Sequence, residues 1–326
     1  MLWFWKKRGI RVVVNNTINL RDPSPGFNDL FVRVARSQGR SIQFWRQPRK
    51  KADLVLLIGK TKFQDIFEHY RKAGAKFVLR LDGIGVKDPG NPYKPNTNYE
   101  TYQKVDAVIF QSRFCQQVWE KVYQNTKPFY IIHNGADETK FAREGEKENF
   151  GFRRLIVTAA RWREWKNLKQ VIEVFLGLDD PDLGLAVLGE GAEVPKHPRI
   201  LATGRLTHKK MGMVFRAAEL LIYLPWFEWC PKVVSQALVA GLPVVCSYNG
   251  GTRELVRDCG IAVPGEKDDR LEYFYENPVK IQEAIAAVRK ILEKPERVRP
   301  RPDLFAGKMV EEYYKVFEQV LDNERT

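Results

Sequence analysis

The stretch that most restricts the fold is residues 226–256, WFEWCPKVVSQALVAGLPVVCSYNGGTRELV. Its pattern predicts a loop carrying Glu228, then a helix with Pro231 in the first helical position. A proline there has no N–H bond to lose, and its φ is already helical. Gly241 predicts the end of that helix, as a left-handed residue just past the last turn. Residues 242–246 are a short apolar run of strand type, and Asn249-Gly250-Gly251 is a turn able to open another helix. The start of such a helix exposes unpaired N–H groups and the positive end of the aligned peptide dipoles, which favours phosphate. Glu228 stands just before that end, close enough to accept hydrogen bonds from hydroxyls of the same ligand. Gln236 lies about one and a half turns into the helix.

The rest of the chain alternates in the same way. Residues 10–16, 53–59, 76–81, 107–111 and 129–132 read as strands, with helices over 28–37, 62–73 and 113–123. Strands follow at 154–159, 185–188, 200–204 and 220–224, a helix at 209–217, and further helices at 278–293 and 308–321. A length of 326 residues fits two domains of ordinary size. Hydrophobic residues make up 44% and charged residues 29%, which excludes a disordered chain. No apolar run approaches the ~20 residues of a membrane span. The opening Met1-Leu2-Trp3-Phe4-Trp5 is too short for a signal-peptide core. Cys115, Cys230, Cys246 and Cys259 form no Cys-x-x-Cys pair and the four histidines are scattered. No disulfide partner and no zinc cluster is expected, and the cytoplasm is the expected compartment.

Charge is unevenly spread. Residues 1–150 carry 27 Lys and Arg against 15 Asp and Glu, a net of +12, out of +14 for the chain. A field of one sign on one half suits a polyanionic partner: an anionic membrane, an acidic polymer or nucleic acid. The plainer reading is a solubilising surface. Arg33 and Arg36, with Arg40 just beyond, share one face of the helix at 28–37. Together with Trp3, Trp5, Arg46, Arg49, Lys50 and Lys51 they could form an interfacial patch of aromatics and cations, or simply a solvated face.

Glu228, Gly241-Leu242-Pro243-Val244-Val245, Gly250-Gly251 and Glu254-Leu255-Val256 resemble the donor-site signature of family 4 glycosyltransferases, retaining enzymes of the GT-B fold. That signature has two glutamates with seven residues between them. Glu228 matches the first and Gln236 replaces the second. In the family the first holds the transferred sugar and the second the nucleotide ribose; glutamine can still bond a ribose hydroxyl. Residues 160–167, ARWREWKN, resemble the family loop in which an arginine and a lysine five apart grip the donor diphosphate, here Arg161 and Lys166. Gly189-Glu190-Gly191 matches the glycine-rich turn, and the backbone at Gly204 and Arg205 is where the family holds the base. Residues 133–137, HNGAD, are similar to the element that closes the first domain. The resemblance is strong over 154–263, moderate over 105–141 and weak before residue 80.

The resemblance implies two Rossmann-like, doubly wound α/β domains facing each other across a cleft. They would comprise an acceptor domain at 1–148, a nucleotide-sugar domain at 149–305, and a final helix at 306–326 crossing back to the first. It implies a nucleotide-sugar co-substrate, UDP- or GDP-linked, and no metal. Lys232 and Val233 would add backbone N–H donors. Asp82, in Arg80-Leu81-Asp82-Gly83, ends a predicted strand and so points toward a cleft. It is a candidate, with Gly83, Arg33 and Arg36, for contacting the acceptor; the other reading of Asp82 is a turn residue satisfying backbone N–H groups. The expected function is transfer of a sugar to an acceptor hydroxyl in envelope glycan, polysaccharide or glycolipid assembly, with peripheral membrane contact on the inner face. Two other readings stand beside it: a glycosyltransferase acting on nucleic acid, and a non-catalytic nucleotide-sugar binding protein.

Overall fold

Runs of valine, leucine and isoleucine make the strands, and their near-complete burial requires helices on both sheet faces. The computed structural model describes residues 9–15, 26–45, 51–58, 64–84, 97–267 and 276–322. Expectations placed on residues 1–8, 17–25, 46–50, 88–96 and 268–270 therefore lie outside the described residues. The chain divides into two units. One comprises Met1–Gln111, Asn125–Ile132 and Met309–Thr326; the other comprises Ser112–Gln124 and His133–Lys308.

The first unit holds β1 (Arg11–Val14), α1 (Phe27–Ser37), β2 (Ser41–Phe44), β3 (Leu54–Ile58), α2 (Gln64–Lys72), β4 (Lys76–Leu81), α3 (Thr97–Gln103) and β5 (Ala107–Phe110). Next along the chain comes α4 (Arg113–Val122), which belongs to the second unit; β6 (Phe129–Ile131) completes the first sheet. All neighbours in it are parallel, in the order β2-β1-β3-β4-β5-β6. The five residues of β3 are all buried. In α1, Leu30, Phe31, Val34 and Ala35 are buried at helical spacing, while Arg33 and Arg36 are exposed.

The second unit holds β7 (Arg154–Ala159), α5 (Leu168–Leu176), β8 (Leu183–Leu188), β9 (Ile200–Gly204), α6 (His208–Ala217) and β10 (Leu220–Tyr223). It continues with α7 (Lys232–Val239), β11 (Val244–Ser247), α8 (Thr252–Val256), β12 (Gly260–Val263) and α9 (Ile281–Glu293). Its sheet is also wholly parallel, in the order β12-β11-β10-β7-β8-β9. Counted from its own first strand this is 3-2-1-4-5-6, the order of dinucleotide-binding folds. Successive side chains of β7 feed two cores. Leu155, Val157 and Ala159 pack with Val234, Leu238 and Phe215, whereas Ile156 packs with Val171, Phe175 and Val288. The last helix, α10 (Ala306–Asp322), belongs to the first unit from Met309 onward. There Tyr313 packs tilted against Phe27 and edge-on against Phe31 of α1, with ring centroids 5.7 and 5.0 Å apart.

Sequence reasoning missed β2 and β12. Both lie at a sheet edge and are only partly buried, so neither carries a continuous apolar run. Pro231 also differs from expectation by one position. Its ψ of 118° is extended, and it caps α7 rather than entering it. Its carbonyl accepts from the N–H groups of Val234 and Ser235 at 3.1 and 3.4 Å, as a residue at the helix threshold does.

Candidate active site

In a sheet of this order the strand connections reverse direction between β7 and β10, and ligands bind beyond the carboxyl ends of those two strands. The loop after β7 carries Arg161 and Lys166; the loop after β10 carries Glu228. Both loops are built on backbone contacts that only particular residues permit. Trp162 is buried and fastens the first: its N–H donates to Glu190 O at 2.8 Å and its indole Nε1 to Leu188 O at 2.9 Å. Gly189 has φ +109°, and a Cβ there would stand 1.8 Å from the Ala160 carbonyl oxygen. The predicted glycine-rich turn thus gives the Arg161 loop its seat. Gly191 faces the Trp162 carbonyl, and Gly204 accepts from the Gly189 N–H at 2.8 Å. Arg205 reaches Glu190 at 3.5 Å.

The two loops are tied to each other. Asn167, left-handed at φ 56°, donates from Nδ2 to Leu224 O at 3.1 Å. The Trp226 N–H donates to Trp165 O at 3.0 Å. The Glu228 loop leans on the glycine turn: the Gly251 N–H donates to Glu228 O at 2.7 Å. Gly250 has φ +92°, and a Cβ there would meet the Glu228 nitrogen and oxygen at 2.7 Å each. Asn249 and Ser247 bond the carbonyls of Trp226 and Pro225 at 2.8 and 2.6 Å.

These supports bring Lys166 and Glu228 into contact. The Lys166 ammonium pairs with the Glu228 carboxylate, their side chains 17% and 15% exposed, and donates to the Tyr223 hydroxyl at 3.2 Å. Burial, with Arg163 second, pushes the Lys166 ammonium down to about 8; the Glu228 carboxylate opposes that fall. Burial also pushes the Tyr223 phenol up, so it stays a neutral donor and acceptor. Arg161 is exposed, with no ion-pair partner among the described residues. Lys232 and Val233 head α7 within five residues of Glu228, and Gln236 is buried on the same helix.

The remaining candidates lie in the first unit. Asp82 follows β4 and pairs with Arg80, whose buried guanidinium also lies 3.9 Å over the Phe27 ring. Gly83 takes φ +99°. Arg36 donates to Ile42 O at 3.4 Å. The sequence reading assigned no role to Glu254. Its carboxylate accepts from the Arg113 and Phe114 N–H groups, at 2.8 and 2.7 Å, and so caps α4; His133 Nε2 stands 3.4 Å away. The available signal was Ser112, a residue type that opens helices, whose Oγ accepts from the Cys115 N–H at 3.0 Å. Among the described residues no group of three or more His, Cys, Asp or Glu could hold a metal ion. All four cysteines are free and buried. Among the described residues no helix is long and apolar enough to cross a membrane.

Two parallel six-stranded sheets with flanking helices define a GT-B glycosyltransferase fold of two Rossmann-like domains. Residues 139–301, half of the chain, match the family described as Glycosyl transferases group 1, and the chain belongs to that family. A search of curated proteins finds no match. Among solved structures, a glycosyltransferase from Rickettsia africae ESF-5 is 11% identical, with a TM-score of 0.71, over 97% of this chain and 99% of that one. HepE from Anabaena, in complex with UDP and glucose, is 12% identical, with a TM-score of 0.67, over 95% and 100%. The pneumococcal O-GlcNAc transferase GtfA, in complex with UDP and GlcNAc, is 16% identical, with a TM-score of 0.61, over 83% and 57%.

Proposed function

We propose that the protein is a retaining, metal-independent family 4 glycosyltransferase. It moves a sugar from a nucleotide-sugar to an acceptor hydroxyl during assembly of an envelope glycan, polysaccharide or glycolipid. The observation that carries this reading is the meeting of Lys166 and Glu228, from loops 62 residues apart, at the strand-order reversal of a nucleotide-binding type of sheet. UDP in the HepE and GtfA structures supports a nucleoside-diphosphate donor, UDP- or GDP-linked. Residues 1–148 serve the acceptor and 149–305 the donor, with 306–326 completing the first domain.

The chemistry follows from charge. As the glycosidic bond breaks, the leaving nucleoside diphosphate gains negative charge. Arg161 offers it a forked donor, Lys166 a compact cation, and Lys232 and Val233 the amides at the head of α7. Glu228 bonds the sugar hydroxyls, and Gln236 the ribose. Gly189 and Gly191 let the backbone approach the phosphates, and Gly204 and Arg205 border the base. The acceptor attacks from the face the leaving group vacates, and its proton passes to the departing phosphate, so no separate general base is assigned. Asp82, with Gly83, orients the acceptor hydroxyl; Arg33 and Arg36, on α1 rather than at that strand end, face a more distant, acidic or membrane-associated part of the acceptor. The setting is cytoplasmic, peripheral to the inner face of the membrane. A nucleic-acid acceptor is the second reading, resting on the +12 charge of residues 1–150; absence of a gel shift at physiological salt eliminates it.

The test is a transfer assay with a panel of UDP- and GDP-sugars. Lys166→Ala and Glu228→Ala should each lower turnover roughly a hundredfold or more while circular dichroism stays native. Wild-type turnover in either variant refutes the assigned role.

A further inference from the structure

The first unit contains a concave site at the strand ends opposite those discussed above. A cavity of about 530 Å³ is lined by Arg11, Arg36, Arg40 and Lys51, with Ser41 and Gln43 beside them. It lies at the amino ends of the strands: Arg11 begins β1, Ser41 begins β2, and Lys51 stands shortly before β3. In a parallel sheet this edge is opposite the carboxyl ends, where Asn15 and Asp82 follow β1 and β4. Its volume falls within the range of small-molecule sites.

Three of the four cations have no carboxylate partner among the described residues, and two of those three are held in place. Arg11 is neutralised by Asp53, which accepts from the Arg11 backbone N–H at 2.8 Å and from its Nε at 2.9 Å. Arg36 is steadied by the Ile42 carbonyl. Arg40 lies with its Cζ 4.6 Å over the Tyr314 ring of α10. Lys51 is exposed. Among the described residues no acidic side chain pairs with Arg36, Arg40 or Lys51. Three like charges converging on one concavity repel each other, and two of them have already lost part of their side-chain freedom. Both features favour a multiply charged anion. Guanidinium forks match phosphate oxygens in geometry, and Ser41 and Gln43 add uncharged bonds.

We propose that this cavity binds a phosphoryl group carried on a larger molecule, at a site separate from the one proposed for the donor. The shared chemistry is a phosphate ester or diphosphate, and its source is either an anionic lipid headgroup or a soluble phosphate ester. The test uses the full chain at physiological salt with two probes: inorganic pyrophosphate by calorimetry, and flotation with phosphatidylglycerol or phosphatidylcholine vesicles. Lys51→Glu and Arg40→Gln/Lys51→Glu are compared with wild type and with Lys290→Glu, an exposed control in the second unit. Any pyrophosphate held by Arg161 and Lys166 is common to all four proteins, so only the difference counts.

Both cavity variants should lose about tenfold or more in affinity for at least one probe, a loss of about 1.4 kcal/mol, with the control unchanged. A loss confined to phosphatidylglycerol vesicles, or shared by both probes, assigns the site to lipid headgroups. A loss for pyrophosphate without vesicle binding assigns it to soluble phosphate esters. Because Lys51 is exposed, Lys51→Glu reports on the site even if the Arg40 substitution disturbs the packing on Tyr314. Equal binding by all four proteins overturns the proposal.

Discussion

Lys166 concentrates the chemistry of the second unit in one side chain. It is buried, next to the cation Arg163, and in contact with Glu228. Its ammonium sits at about 8 against an ordinary 10.5, because burial disfavours the charged form. The protonated form therefore dominates at neutral pH and is lost as pH rises through 8. If Lys166 grips a diphosphate, kcat/KM for the donor should be flat below neutral pH and fall with a slope of one proton above about 8. Lys166→Arg, with a weaker fit, should keep its charge and lack that fall. A profile of the variant that still declines at pH 8 would move the titration to another group. Gln236 raises a separate question of affinity, since it offers one neutral bond where a glutamate offers a charged one.

Several elements are positioned by contacts made far along the chain. Glu254, on the short α8, caps α4 from 141 residues away. Burial pushes its carboxyl up, but His133 and the amides of Phe114 and Arg113 outweigh that, and the net effect holds it below the usual 4.5. A carboxyl lowered in the folded state contributes stability above its unfolded value and loses it as pH falls through the folded one. Glu254→Gln should therefore destabilise by about 1 kcal/mol at pH 7, read by urea titration. The difference from wild type should shrink below pH 4.5. A gap unchanged in acid would mean that the ionised carboxylate is not its source. The same α8 follows Gly250 and Gly251, so one turn both seats Glu228 and launches the capping helix.

At the scale of the molecule, each unit has its own sheet, and α10 contributes Tyr313, Tyr314 and Phe317 to the first, all buried. Ending the chain at Lys308 should strip the cover from Phe27 and Phe31 and unfold the first unit at lower temperature. The second, which keeps both of its cores, should melt nearly as before; calorimetry resolves the two transitions. A single unshifted transition would show that α10 adds no stability. The amino-acid sequence by itself determined much of this protein: the helix–strand–turn succession of residues 226–256, the glycines at 241, 250 and 251, and the likenesses that picked out Glu228 there and Arg161 and Lys166 in residues 160–167. Those features are local, arising from backbone geometry and from burial at the periods of helix and strand. Tertiary structure alone decided the order of the strands, and with it that the loops after β7 and β10 are neighbours. It also decided that Lys166 touches Glu228, that Glu254 holds α4, and that Arg11, Arg36, Arg40 and Lys51 line one cavity. Each depends on pairings between distant segments, whose energies come from contacts that exist only once the sheets have formed.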